Sequence, residues 1–288
     1  MSVLGAAGCT STTGTGAPVV PSGPASSGAP AGAAPTSEAT GTAGTTAQQR
    51  ALPLYYVADT PAGPRLAREF RRLPVGDGPA AAGSAAVTAL LAAPTGTVPG
   101  HRNLWPTGGA LASPVTHADG VVTVDLTPRS VEAAPADPIL AVQQLVYTVT
   151  GALGTTDPVR LLVAGASVPR LWDDGVVTGL PIARADPLGI RVLVGIDEPA
   201  EGATATSPLR VTGEAAVFEA TLLWEVRRGG AVVASGAAST AEGQTFAPYS
   251  FVVPLPPGDY EVRVAEDDPS DGAGRPVMTD TRRVTVTG

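Results

Sequence analysis

The chain has 288 residues, of which 18 are Arg and none is Lys, and 26 acidic residues give it a net charge of −8. The absence of lysine excludes Schiff-base catalysis, a P-loop lysine and lysine-assisted activation of a serine. Because a negative surface repels phosphate polymers, the charge also argues against nucleic-acid binding.

The only cysteine, Cys9, follows a short run of small and apolar residues. Leu4-Gly-Ala-Ala-Gly-Cys9 is similar to a lipobox, in which a peptidase cuts before a cysteine that carries lipid. No basic residue precedes it and the apolar run is short, so we expect residues 1–9 to be part of a signal peptide that starts further upstream. Cys9 is the predicted lipid-attachment residue. The alternative is a free cysteine in an unstructured tail.

Residues 10–50 are rich in Thr, Ser, Gly, Pro and Ala, with one acidic residue and no aromatic residue. Such a segment cannot bury enough apolar surface to offset its chain entropy, which predicts a disordered linker. A flexible coil of this length spans about 35 Å. The composition, with much Ala, Gly, Pro, Val and Arg but no Lys, is typical of high-GC genomes such as those of actinobacteria.

Residues 51–186 alternate between strand and helix patterns. This order predicts a small α+β domain, in which two helices pack on one face of a sheet. The strands are predicted at Leu54–Val57, Leu66–Leu73, Val121–Leu126 and Val159–Val163.

Two helices are predicted within this domain. The first covers Ala85–Ala93, with Ser84 as its N-cap. The second has Asp137 as its N-cap and closes at Gly154. Its predicted apolar stripe is Ile139, Val142, Leu145, Val146, Val149 and Leu153.

Residues 187–288 change to a periodicity of two, which predicts an all-β sandwich of the immunoglobulin type. Seven strands are predicted: Ile190–Ile196, Leu209–Gly213, Ala215–Arg227, Ala231–Gly236, Phe246–Val253, Tyr260–Ala265 and Arg282–Thr287. In the third strand, Trp224 is expected in the core and Glu219 on the outer face. Gly229-Gly230 predicts a tight hairpin, and Tyr260 is placed like the corner tyrosine of such sandwiches.

Two stretches resemble bacterial domain families. Leu54-Tyr-Tyr-Val57, the helix from Val87 to Pro94, Thr95-Gly-Thr-Val-Pro99 and the stretch from Ala141 to Thr148 resemble GerMN, a sporulation and germination domain. The stretch from Ser207 to Ala220, with Phe251, Gly258 and Asp271-Gly272, resembles Gmad2, an immunoglobulin-like domain often found next to GerMN. The resemblance implies a cell-envelope protein, frequently a lipoprotein, with no established catalytic residues and a role in protein assembly.

Residues able to support catalysis are few. Gly165-Ala-Ser167-Val-Pro169 is similar to a nucleophile elbow, but Pro169 replaces the final glycine. His101 and His117 are the only histidines, both precede Ser167, and turn positions are expected for both. Their spacing of sixteen matches no familiar zinc pattern. We therefore predict no catalytic residue, no metal site and no cofactor.

Three groups of charged residues are interpreted as structural rather than functional. Glu266–Asp271 offers oxygens to calcium but lacks the ligand spacing of an EF-hand, which favours a solvated turn. Glu219 is expected to cap a loop, to pair with an arginine or to form part of a partner surface, and a structural role is favoured. Arg68, Arg71 and Arg72, interrupted by Glu69, are interpreted as a solvated edge strand.

The predicted function is a non-enzymatic scaffold that is anchored to the outer face of the cell membrane by Cys9. Its predicted partner is an envelope protein, and its oligomeric state is left open. The alternative is a module that binds cell-wall glycan or another ligand. That alternative needs an exposed aromatic ring from Trp105, Trp172 or Tyr249.

Overall fold

A long antiparallel hairpin opens the part of the chain that the computed structural model describes. Strand β1 (Gln48–Thr60) pairs along its whole length with β2 (Gly63–Val75). One face of β1 enters the core through Leu52, Leu54 and Tyr56. The described residues are 48–172, 175–268, 272–274 and 276–288, and they lie in one compact unit. Cys9 and most of the predicted linker lie outside them.

A second sheet completes the α+β part. Its strand order is β3-β4-β5-β6, and β4 and β5 are parallel. The strands are β3 (Leu111–Ala118), β4 (Val121–Leu126), β5 (Val159–Val163) and β6 (Ala166–Ser167). A 3-10 turn at Pro128–Val131 and a helix cross over between β4 and β5. Strand β3 was not predicted, because it contains Pro114 and buries only Val115.

Two helices pack against these strands, α1 (Ala81–Ala92) and α2 (Pro138–Leu153). Asp137 caps α2 by accepting the N–H of Leu140 at 2.9 Å, and Gly154 ends it with φ of +67°, as predicted. The stripe of α2 is wrong at Ile139, which is 66% exposed, because the first turn points the neighbouring Leu140 inward.

Ser84 is not the N-cap of α1. The helix begins four residues earlier, after Ala80, and has no side-chain cap. The Ser84 hydroxyl instead donates to the carbonyl of Ala80 at 3.4 Å and accepts the N–H of Val115 at 2.9 Å. The serine thus joins α1 to β3, a tertiary contact that the local sequence pattern does not reveal.

The remaining residues form the predicted all-β sandwich. After a short helix α3 (Pro187–Ile190), two sheets pack face to face with strand orders β12-β9-β7 and β11-β10-β13-β14-β8. The strands are β7 (Val194–Glu198), β8 (Ala203–Thr206), β9 (Leu209–Ala215), β10 (Thr221–Arg228), β11 (Ala231–Ser239), β12 (Ala247–Val253), β13 (Gly258–Glu266) and β14 (Thr279–Thr287). Strand β8 was not predicted because it is short and half-exposed.

Two strand predictions in the sandwich are wrong in part. Where Ile190–Ile196 was predicted, Asp186 and Pro187 start α3 and the strand begins only at Val194. Ala215–Arg227 is interrupted at Phe218–Ala220, where Glu219 and Ala220 have positive φ of 52° and 58°. Glu219 therefore lies in a turn rather than on the outer face of a strand.

Two local predictions in the sandwich are confirmed. Gly229 and Gly230 take positive φ of 57° and 87° in the hairpin between β10 and β11, as a tight turn of this kind requires. The Tyr260 hydroxyl donates to the carbonyl of Pro256 at 2.8 Å, which is the bond of a corner tyrosine. Within the described ranges, no helix is both long enough and apolar enough to cross a membrane.

Candidate functional site

A wide apolar groove runs along the outer face of α1. Its volume is about 710 Å³, and it is bounded by the end of β2 on one side and by β3 on the other. The helix contributes mostly small side chains, and Pro114 to His117 form the opposite wall. The lining residues of the helix are Ala81, Ser84, Ala85, Thr88, Ala89 and Ala92, and Asp77 and Ala80 line the groove just before the helix begins. We call this feature the α1 groove.

The outer face of α1 has no charged residue. Surface helices normally carry charged side chains opposite their buried stripe. Here the buried stripe includes Val87, Leu90 and Leu91, whereas the outward positions are alanine and threonine. The sequence contains this signal, because residues 78–100 have no charged side chain. These residues predicted a helix and contributed to the GerMN resemblance, but the groove was not predicted.

A buried ionic cluster holds the loop that follows α1. Glu69 of β2 is 4% exposed and accepts the backbone N–H groups of Thr97 (2.8 Å) and Val98 (3.2 Å). It also accepts the Thr97 hydroxyl, and Nδ1 of His101 lies 2.7 Å from its Oε1. Burial alone would raise the pKa of Glu69, but these hydrogen bonds and the charge of His101 outweigh it and hold the pKa at about 2.

The segment of β2 that contains Arg68, Arg71 and Arg72 was interpreted as a solvated edge strand, and the structure contradicts this. Glu69 is buried as described above, and Arg68 points into the boundary between the α+β part and the sandwich. Its guanidinium forms a two-point pair with Asp197, at 3.0 and 2.6 Å, and contacts Glu214 at 2.8 Å. Arg191 forms a second pair with Glu214. Of the three arginines, Arg72 alone is exposed, and Arg71 contacts the Tyr56 hydroxyl at 3.3 Å.

These pairs, which we call the junction cluster, join the two parts firmly. Val192 donates its N–H to the carbonyl of Leu66 at 2.9 Å, and Ala67 of β2 belongs to the sandwich core. The Arg191 guanidinium lies 3.9 Å from the ring centre of Phe246 and 5.3 Å from that of Tyr55. Backbone, apolar and ionic contacts thus connect β2 to the sandwich.

The residues that could have formed a hydrolase site are apart. His117 lies on β3, not in a turn, and its Nε2 is 2.7 Å from Asp157 Oδ2. Ser167 lies on β6 at the opposite edge of that sheet, with β4 and β5 between them. Two intervening strands separate the edge strands by roughly 14 Å. His101 lies in a loop, as expected, and its Nδ1 contacts the carboxylate of Glu69.

The acidic turn is only partly described. Glu266 Oε2 accepts the N–H of Met278 at 2.7 Å, and Asp268 Oδ2 accepts that of Gly272 at 2.8 Å. Asp271 lies outside the described residues. In the ranges that are described, no three His, Cys, Asp or Glu side chains are grouped as metal ligands would be.

The aromatic residues considered for glycan binding are buried or half-buried. Trp105 and Tyr249 are each 3% exposed, and Trp172 is half-buried with its ring 5.8 Å from that of Trp105. Trp224 is half-buried rather than fully in the core, and it stacks on Phe251 at 4.7 Å.

Two family models match the two parts. Residues 53–169 match Germane, described as "Sporulation and spore germination", and residues 193–273 match Gmad2, described as "Immunoglobulin-like domain of bacterial spore germination". We call the part that matches Germane the Germane region and the part that matches Gmad2 the Gmad2 region. The α1 groove lies in the Germane region, and the junction cluster joins that region to Gmad2. Neither family description names an enzymatic activity.

Similar solved structures include the tandem GerMN domains of the sporulation protein GerM from Bacillus subtilis, with 16% identity and a TM-score of 0.37. That match covers 72% of this chain and 62% of the other, so the chain spans less than two thirds of it. The first GerMN domain of the same protein matches with 20% identity and a TM-score of 0.36, over 48% of this chain and 99% of that one. CopC from Methylosinus trichosporium OB3b matches with 19% identity and a TM-score of 0.26, over 32% and 92%. No curated protein matches the chain.

Proposed function

We propose that the protein is a non-enzymatic component of the cell envelope whose Germane region docks onto an envelope protein through the α1 groove. The single observation that supports this most is a groove along an uncharged helix face, on the surface of a chain with a net charge of −8. Contiguous apolar surfaces of this kind mark protein–protein contacts more often than solvated faces.

The occupant we propose is an amphipathic helix of the partner protein. Because Ala81, Ala85 and Ala89 carry only a methyl group, the backbone of a second helix can come close to α1 along this stripe. Because the helix side of the groove has no charged side chain, we expect the partner helix to bind through its apolar face rather than through its charged face. His117, paired with Asp157, lies at the β3 wall and offers the polar rim that such contacts have.

The junction cluster supports a scaffold role. A docking surface fixes the orientation of its partner only when that surface is held firmly against the rest of the molecule. Arg68, Asp197, Glu214 and Arg191 hold β2, whose C-terminal end borders the groove, against the Gmad2 region. A partner bound at α1 would therefore have a fixed orientation relative to the sandwich.

Membrane attachment through Cys9 is part of the proposal. The sequence around Cys9 is what motivates it, since that residue lies outside the described ranges. Lipidation with two or more acyl chains would make the protein partition into the detergent phase of Triton X-114. The Cys9→Ser protein should then move to the aqueous phase, and equal partitioning of both proteins would refute the anchor.

The glycan-binding alternative gains no support from the aromatic residues on which it was based. Platforms for sugars present an open ring face. Trp105 and Tyr249 are buried, and Trp172 packs against Trp105.

The docking proposal can be tested with a charge placed in the groove. Ala89 is half-buried and lines the groove, so Ala89→Arg places a cation there, and Ala237→Arg on the exposed face of β11 is the control for the added charge. Circular dichroism of both variants checks that each one folds. We expect in-cell crosslinking of the parent chain to give one discrete heteromeric adduct, which Ala89→Arg reduces at least tenfold and Ala237→Arg retains. An adduct of twice the chain mass, or equal adducts from both variants, would refute the proposed occupant.

A further inference from the structure

A second cleft lies beside the C-terminal end of α2 and shares no lining residue with the α1 groove. Its volume is about 770 Å³. The walls are the start of β1, the middle of β2, the end of α2 and the side chain of Arg184. Phe70 and Pro53 contribute apolar surface, and Arg50 and Arg68 line the cleft together with Arg184.

The charge of this cleft is opposite to that of the molecule. Three arginines line it and no acidic residue does, although the whole chain has a net charge of −8. Arg68 is neutralised from the other side by Asp197 and Glu214. Arg50 and Arg184 form no ion pair with any described residue. The cleft therefore has two uncompensated positive charges.

Arg184 is held in place with part of its guanidinium unused. Its Nε donates to the Thr150 hydroxyl at 2.8 Å, and its guanidinium lies 4.8 Å from the ring centre of Tyr147. These contacts fix the side chain but leave the terminal N–H groups without a carboxylate. A planar guanidinium held in this way is suited to a two-point hydrogen bond with an oxyanion.

Compensation of the helix dipole does not account for the cluster. An arginine near a helix C-terminus is favourable because it faces the unpaired carbonyls there. In α2, however, the N–H of Gly154 already donates to the carbonyl of Gly151, and that of Thr155 to the carbonyl of Thr150. Arg50, on β1, is also left unexplained by the dipole.

Gly151 keeps the floor of the cleft open. A Cβ atom at this position would lie 3.1 Å from Pro53 Cγ, 3.5 Å from Tyr55 Cε2 and 3.7 Å from Arg184 Nη2. Because these three side chains surround the Gly151 Cα, a side chain there would fill the space in front of the guanidinium.

We propose that this cleft binds a phosphate group of a small or lipid-borne ligand. Two uncompensated guanidinium charges match the charge of about −1.5 to −2 that a phosphate monoester carries at neutral pH. The apolar wall of Phe70 and Pro53 accommodates the organic part of the ligand. The site is independent of the docking proposal, since neither requires the other.

The test is a titration of the full chain with glycerol phosphate at low salt, monitored by isothermal titration calorimetry. We expect saturable binding that Arg184→Gln weakens about tenfold and Arg50→Gln about threefold. Arg210→Gln and Arg160→Gln remove the same charge from exposed sites outside the cleft and should leave binding within twofold. Because Arg50 is exposed, its substitution tests the site even if Arg184→Gln does not fold.

Two further arms identify the source of the phosphate. Binding to phosphatidic acid vesicles, but not to phosphatidylcholine vesicles, without binding of soluble glycerol phosphate would place the ligand in a lipid headgroup. Binding of soluble glycerol phosphate would place it on a small molecule. The absence of binding to either probe, equal affinity for acetate, or equal weakening by Arg210→Gln would overturn the proposal.

Discussion

Glu69 shows how a single residue can be misjudged from its neighbours in sequence. Between Arg68 and Phe70 it looks like one charge in a solvated strand. In the fold it is buried, and three hydrogen-bond donors from the loop at Thr97–Val98 and Nδ1 of His101 surround it. The loop is 28 residues or more away along the chain, so no local pattern contains the partnership.

The charge of Glu69 contributes to stability in a way that depends on pH. Because its pKa is about 2 in the folded state and near the ordinary value of 4.5 when unfolded, the ionised carboxylate stabilises the fold above pH 4.5. That contribution falls as pH decreases from 4.5 towards 2. We expect Glu69→Gln to lose about 3 kcal/mol of unfolding free energy at pH 7, and clearly less at pH 2.5.

Urea denaturation at the two pH values measures this difference. Glu132→Gln is the control, because Glu132 is exposed and its contact with Arg129 is 3.7 Å long. A pH-independent loss for Glu69→Gln would contradict the assigned pKa.

At the scale of elements, the sequence predicted those strands and helices whose residues alternate or repeat clearly. Strand β4 and the caps of α2 at Asp137 and Gly154 are found where the pattern placed them. The failure at Phe218–Ala220 has a physical reason. The apolar alternation continues through this turn, but two residues with positive φ reverse the chain, and side-chain periodicity does not report backbone φ.

The candidate site depends on contacts between elements, which made it harder to predict. The α1 groove exists only because β3, which was not predicted, lies beside α1, and Ser84 is what joins them. The junction cluster pairs Arg68 with Asp197, 129 residues away. The sequence shows that these positions carry charged or small side chains. Which residues they contact follows only from the fold.

The N-cap of α2 allows a prediction at this scale. Asp137 accepts the N–H of Leu140, so Asp137→Ala should lower the unfolding free energy by about 1 kcal/mol. Asp77→Ala removes an exposed aspartate and should change the stability by less than about 0.5 kcal/mol. Thermal or urea unfolding of the two proteins measures the difference, and equal stabilities would show that the cap is not formed.

At the scale of the whole molecule, the junction cluster decides whether the Germane and Gmad2 regions act as one body. Burial raises the pKa of Asp197 in spite of the opposing effect of Arg68. A carboxylate whose pKa is raised on folding destabilises the fold when ionised, so its contribution improves as pH falls, opposite to that of Glu69. Asp197 therefore depends on Arg68 at neutral pH.

Removing Arg68 should accordingly weaken the junction. Arg68→Met leaves Asp197 without its two-point partner and Glu214 with Arg191 alone, and we expect a loss of about 3 kcal/mol. Differential scanning calorimetry should then show two separate transitions instead of one. Arg210→Met, on the exposed side of β9, is the control and should keep a single transition. A single unshifted transition for Arg68→Met would mean that the apolar contacts suffice.

Site-specific photocrosslinking in cells tests the proposal that the protein docks a partner helix in the α1 groove. A photoreactive side chain at position 89 should give one adduct with a single envelope protein, linked through an amphipathic helix of that protein. The same side chain at position 237 should give none. Adducts spread over many proteins, or the same adduct from both positions, would contradict the account.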